Sequence, residues 1–117
     1  SVFQENPGWI LLGARLRLPE QSAAMGLEKV KERLDFTRAH QDTRFSNFGT
    51  VYRTGYRDLP GMRGLRVGGA CFSERSSNWI VNDQGATAKD VADLIDLGIR
   101  RHNDAGLTPP DPEVRFL

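Results

Sequence analysis

The chain has 117 residues, 38% of them hydrophobic and 26% charged, with a formal net charge of +1. That length suits one compact domain and is short for two. No run approaches the roughly 18 apolar residues of a membrane span, and so small a net charge makes no general case for nucleic acid. Cys71 is the only cysteine, so the sequence offers neither an internal disulfide nor a thiolate metal cluster and fits a reducing cytoplasm. The chain opens on Ser1 without a signal-peptide pattern and reads as a piece of something longer.

The first predicted element is a strand over Trp9 to Leu18 (WILLGARLRL). This run is mostly apolar and then alternates, with Ala14, Leu16 and Leu18 on one side, Arg15 and Arg17 on the other, and Pro19 closing it. Ser22 then caps a helix whose apolar positions Leu27, Val30 and Leu34 fall at i, i+3 and i+7, a pattern that fades after Phe36. Residues 43 to 85 hold three short β-like runs, around Gly49 to Thr54, Leu65 to Phe72 and Asn78 to Asn82, separated by Gly, Pro and Ser. The clearest local signal is a second helix. Thr87 and Asp90 form a capping box, Val91, Leu94, Ile95 and Ile99 make one apolar stripe, and the helix should end near Asn103, before Gly106 and Pro109. The tail Glu113 to Leu117 is again strand-like. This order implies an α+β fold, a single small domain with a mixed β-sheet and helices packed on it.

Charge is unevenly spread. Residues 38 to 75 carry seven arginines against Asp42, Asp58 and Glu74, and arginine's planar fork suits phosphate and carboxylate. The middle third is therefore the anion-facing candidate, with biased composition as the equally weighted alternative. His40 and His102 lie too far apart to suggest a metal site. Gly68 and Gly69 lack the spacing and following helix of a dinucleotide fingerprint. Ser73, Ser76 and Ser77 have no nucleophile elbow or histidine base, and turn chemistry is their default.

A resemblance carries the functional expectation. Val67 to Asn82 (VGGACFSERSSNWIVN) is similar to a stretch of the UDP-N-acetylenolpyruvoylglucosamine reductases that reads roughly (I/V)GGA, two residues, S(E/T)KHANF(I/V)VN. It is followed in register by DQGATAKDVADLI, like that family's turn and helix start, and by the closing PEVRFL. Upstream, Arg38, Gln41 and the NFGTVYR segment from Asn47 to Arg53 resemble its R-x-x-Q-P and N-x-GS-x-F-(K/R)-N-P elements. Departures are Thr50 for serine, Asp42 for proline, Ser76 for histidine, and Thr54 and Gly55 for Asn-Pro. The gap between Arg53 and Gly64 is also shorter than usual.

The resemblance implies the C-terminal, substrate-binding domain of a peptidoglycan-precursor enzyme over residues 1–117, with an N-terminal FAD-binding domain in cis. FAD on that other domain, reduced by NADPH, would deliver hydride to an enolpyruvyl double bond, and the neighbouring carbon would need a proton. By the same resemblance Thr50 is the proton donor and Glu113 its assistant near the substrate carboxylate. Arg53, Asn47, Tyr52 and Arg38 are the expected contacts of a UDP-sugar substrate, and Gly68 and Gly69 the expected cofactor-binding positions. The chain alone is then expected to be inactive and to bind FAD poorly. The alternative is a diverged paralogue that binds another nucleotide sugar or a carboxylate, without catalysis or in specialised metabolism.

Overall fold

A computed structural model of the chain describes residues 2–6, 8–53 and 59–115. Its elements are a short helix α1 (Val2–Glu5), α2 (Ala23–His40), β1 (Ser46–Thr50), β2 (Arg66–Val67), β3 (Ala70–Phe72), β4 (Trp79–Asn82) and α3 (Ala88–Asp104). The four strands form one sheet in the order β1-β4-β3-β2, with every neighbouring pair antiparallel. The α+β class holds, while the sheet is antiparallel throughout where a mixed one was expected.

Strand alternation explains where the core sits. Successive side chains point to opposite faces, so Ala70, Phe72 and Ile80 face α3, and Cys71, Trp79 and Val81 form a separate small cluster. The α3 stripe closes over the first face: Val91, Leu94 and Ile95 are buried and Ile99 is packed alongside. Its N-terminus is built as the sequence implies. Thr87 Oγ1 accepts from the Asp90 N–H at 3.1 Å and the Asp90 carboxylate accepts from the Thr87 N–H at 2.9 Å. The helix stops at Asp104, and Gly106 turns the chain at φ +68°. Val51, Tyr52, Leu59 and Met62 complete the core.

The N-terminal third departs from expectation. Residues 9 to 18 form no strand, and Ile10 and Leu12 are 83% and 94% exposed. An alternating pattern says which face a strand would bury, but a strand also needs a neighbour to pair its N–H and C=O groups. No other described residues supply one. Helix α2 forms on its Ser22 cap, whose side chain accepts from the Met25 N–H at 3.3 Å, and continues to His40, beyond the fading of its pattern. It buries none of its residues, and Leu27, Val30 and Leu34 are all exposed. Packing on the sheet is therefore the work of α3. The described residues of the tail, 113 to 115, are not a strand either. This end of the chain contributes one bridge, Tyr52 opposite Pro112, flanked by two hydrogen bonds, and Phe116 and Leu117 lie outside the described residues, as does Thr54 at the end of the first β-like run.

Candidate active site

The predicted site converges on a short ladder. The Glu113 N–H donates to the Val51 carbonyl at 2.7 Å and the Arg53 N–H donates to the Asp111 carbonyl at 2.9 Å, either side of the Tyr52–Pro112 bridge. Proline has no N–H, so the one place it fits in such a ladder is a pair whose own groups are not called on. Pro112 occupies that place. Thr50, half-buried at the end of β1, is next in the chain to the residue that holds Glu113, and the Glu113 side chain is exposed. Thr50, Arg53 and Glu113, about sixty residues apart in sequence, are thus brought onto one strip of backbone.

Within that strip Arg53 is half-exposed and its Nε lies 3.2 Å from the Asp111 carboxylate. Exposed pairs of this kind are weak and readily exchanged, so the guanidinium can leave Asp111 for a stronger anion. Asn47 lies upstream on the exposed part of β1 and turns inward on its own loop: its Oδ1 accepts from the Gly49 N–H at 3.2 Å and its amide donates to the Phe45 carbonyl at 3.1 Å. Arg38 is on α2, exposed and paired with Asp35 at 3.3 Å, and no contact joins it to the strip.

Tyr52, Gly68 and Gly69 lie where the fold itself uses them. Tyr52 is fully buried, its ring stacked 6.1 Å from Phe72 and its hydroxyl donating to the Ile95 carbonyl at 2.9 Å. Burial, with Asp96 nearby, raises its phenol above the usual range, so it stays a protonated donor to α3. In this structure it is a core residue, joined to α3 and Phe72. Gly68 and Gly69 make the tight turn between β2 and β3, Gly68 at φ +52°. A side chain on Gly68 would strike the Asp90 carboxylate, and one on Gly69 the backbone at Gly85 and Ala86. Their missing side chains let the hairpin pack against the start of α3. That space is already filled by protein, which gives both glycines a packing role.

The arginine-rich middle is largely engaged within the fold. Arg44 holds Asp42 through two hydrogen bonds of 2.8 Å, Arg66 holds Asp83 through two more of 2.8 Å, and Arg63 donates to the Glu74 carbonyl. Asp42 is a buried hub: its carboxylate also accepts from Ser73 Oγ at 2.7 Å, and its carbonyl accepts from Trp79 Nε1 at 3.1 Å. With Cys71, these two ion pairs border a cavity of about 290 Å³ that none of the predicted site residues lines. Burial pushes the Cys71 thiol up, with Arg66 opposing, which keeps the sulfur protonated rather than nucleophilic.

The Asp42 hub makes a pH prediction. Hydrogen bonds from Arg44, supported by Ser73, hold its carboxyl well below the usual carboxylate range against the opposing effect of burial. Because the folded state binds this proton less tightly than the unfolded chain, the contribution is fully present above about pH 4 and is lost as pH falls below it. Asp42→Asn should therefore lower stability by about 1.5–3 kcal/mol at pH 7. The difference should shrink between pH 4 and pH 2, as read by urea unfolding midpoints.

Sequence reasoning missed Asp42 as an anchor, and it missed Asn78. The Asn78 side chain, 2% exposed, accepts from the Tyr52 N–H and donates to the Tyr52 carbonyl, both at 2.8 Å. The available signal was a polar residue directly ahead of the apolar run Trp79 to Val81.

The described residues form a small α+β domain with an antiparallel sheet, and Thr50, Arg53 and Glu113 lie along one short ladder at its edge. Residues 58–116 match the family described as UDP-N-acetylenolpyruvoylglucosamine reductase, C-terminal domain, and the chain belongs to that family. Relatives carrying the name UDP-N-acetylenolpyruvoylglucosamine reductase include a Gloeobacter violaceus protein, 37% identical across all of this chain and 42% of its own length. A Pelobacter propionicus protein is 38% identical over 74% of this chain and 32% of its own. A Bacillus subtilis protein is 31% identical over 82% and 34%. The chain thus spans less than half the length of these relatives. Among the described residues no helix is long and apolar enough to cross a membrane.

Proposed function

We propose that this chain is the substrate-side part of an FAD-dependent, NADPH-using reductase that converts UDP-N-acetylenolpyruvoylglucosamine to UDP-N-acetylmuramate, a cytoplasmic step of peptidoglycan precursor synthesis. The observation that carries the reading is the gathering of Thr50, Arg53 and Glu113 on one ladder within a chain of this family. FAD, held by a preceding domain, would supply hydride to one carbon of the enolpyruvyl double bond. The overall change consumes NADPH and one proton and yields NADP⁺ and the saturated ether. This chain's part is the proton. The Thr50 hydroxyl gives it to the neighbouring carbon, and Glu113 assists beside the substrate carboxylate. Arg53 leaves Asp111 to grip the diphosphate, and Asn47, upstream on β1, is a further substrate contact.

A second reading, a diverged paralogue that binds another nucleotide sugar or a carboxylate, without catalysis or in specialised metabolism, is favoured by one feature. Thr50 carries a β-branch that restricts χ1 and with it the aim of the hydroxyl. The first reading requires UDP-sugar binding. Calorimetric titration with UDP-N-acetylglucosamine should give binding that weakens with salt and falls by about 10- to 100-fold on Arg53→Ala, the range of a lost charge-assisted contact. Asp111→Asn should tighten it by freeing the guanidinium. Equal affinity for a neutral sugar, or no effect of either substitution, would remove Arg53 from the diphosphate role.

A further inference from the structure

The pairing of β1 with β4 slips just before Thr50. Asn47 lies opposite Val81, but Thr50 lies opposite Trp79, so three steps along β1 match two along β4. The extra residue is taken up around Gly49, whose φ of +71° a side chain would strain. Such a bulge bends a strand and re-aims the side chain that follows it. Here that residue is Thr50. Beyond the bulge the Val51 N–H still finds a backbone partner, the Asn78 carbonyl at 3.2 Å, but the chain ahead of Asn78 has turned, closed by the Trp79 N–H donating to the Ser76 carbonyl at 3.2 Å. The Asn78 side-chain amide then does for Tyr52 what one more strand residue would do. It takes the Tyr52 N–H and donates to the Tyr52 carbonyl, 2.8 Å each way, in a setting from which water is excluded.

We infer that Asn78 is a positioning residue, holding the strand beyond the Gly49 bulge in register so that the Thr50 hydroxyl keeps its aim. The inference rests on the proton-donor reading of Thr50. An amide suits this work because it is at once donor and acceptor with a fixed spacing, which neither a carboxylate nor a hydroxyl provides. The clamp sits between two ladders, β4 on one side and residues 111 to 113 on the other. Releasing it therefore loosens the backbone of residues 50 to 52, while Arg53 stays bonded to the Asp111 carbonyl and the Tyr52 hydroxyl to Ile95 in the α3 core.

The test uses the full-length, flavin-loaded polypeptide and the enolpyruvyl UDP-sugar, with Asn78→Asp and Asn78→Ser measured alone and combined with Thr50→Val. Each Asn78 variant should lower kcat by up to about 100-fold, the scale of a reacting group misplaced by about 1 Å, with KM for the UDP-sugar unchanged. In the Thr50→Val background the same substitution should cost nothing further, because its effect runs through the hydroxyl already removed. Amide exchange on the 117-residue chain gives a readout independent of activity. The Tyr52 N–H should exchange faster in Asn78→Ser while the α3 amides keep their protection. Multiplicative losses in the double variants, or loss of α3 protection alongside Tyr52, would make Asn78 a general fold residue and overturn the inference. If Thr50→Val slows the reaction and both Asn78 variants are silent, this inference alone fails. If Thr50→Val is itself silent, the proton-donor reading fails first.

Discussion

Thr50→Val, in the full-length polypeptide with its flavin loaded, is expected to slow formation of the saturated UDP-sugar by about 100- to 10,000-fold, the usual consequence of losing a general acid. Valine keeps the branched shape and removes the hydroxyl, so the half-buried position beside Trp79 should stay filled and the fold should survive. Reduction of the flavin by NADPH in the absence of substrate should be unchanged, since no proton from this domain enters it. Thr50→Ser is the complementary variant. It retains the hydroxyl and frees χ1 from the β-branch. A serine variant faster than the natural threonine would identify the β-branch as a brake on proton delivery. Unchanged rates in both, together with a silent Glu113→Gln, would transfer the preference to the binding-only reading.

The largest effect on stability is expected at Leu94. This side chain is fully buried between Val91 and Ile95 on the face that α3 lays against Phe72 and Ile80, and truncation leaves a cavity that packed neighbours fill only in part. Leu94→Ala should cost about 2–5 kcal/mol. Leu27→Ala, on α2, should cost within about 0.5 kcal/mol, because Leu27 is 70% exposed. Urea unfolding of the two variants side by side measures the contrast, and equal losses would mean that α2 belongs to the same core as α3.

That contrast also marks what could be read from the sequence. Helix α3 was legible because its cap, its apolar stripe and its stop are local features, and each is sufficient on its own residues. Strand β4 was legible for the same reason, whereas Leu65 to Phe72 read as one β-like run and is two strands, β2 and β3, paired about the turn at Gly68 and Gly69. Residues 9 to 18 carry an equally clear pattern, yet a strand is a relation between two segments, and sequence alternation in one of them does not name the other. The exposed stripe of α2 is the same problem in helical form. Both were expected to pack on this sheet, and neither does.

For the site, resemblance supplied Thr50, Arg53 and Glu113, and the fold brings them together through two backbone hydrogen bonds that no local pattern encodes. It did not show which matching positions also pack the core. Tyr52, Gly68 and Gly69 sit within matching motifs and are occupied with α3. Asp42 stood out only as a departure from proline, and its role as a buried acceptor for Arg44 and Ser73 depends on a residue thirty-one positions away. Asn78 was hidden for a related reason: its partners are the backbone groups of Tyr52, which leave no signature in the side-chain sequence.

The most direct test of the proposed function is product formation by the full-length, flavin-loaded polypeptide given NADPH and UDP-N-acetylenolpyruvoylglucosamine. The expected result is NADPH consumption that depends on the enolpyruvyl substrate and matches, mole for mole, the UDP-N-acetylmuramate recovered. The contradicting result is a flavin that NADPH reduces, and a UDP-sugar that binds, with no product formed by either the natural chain or its Thr50→Ser variant.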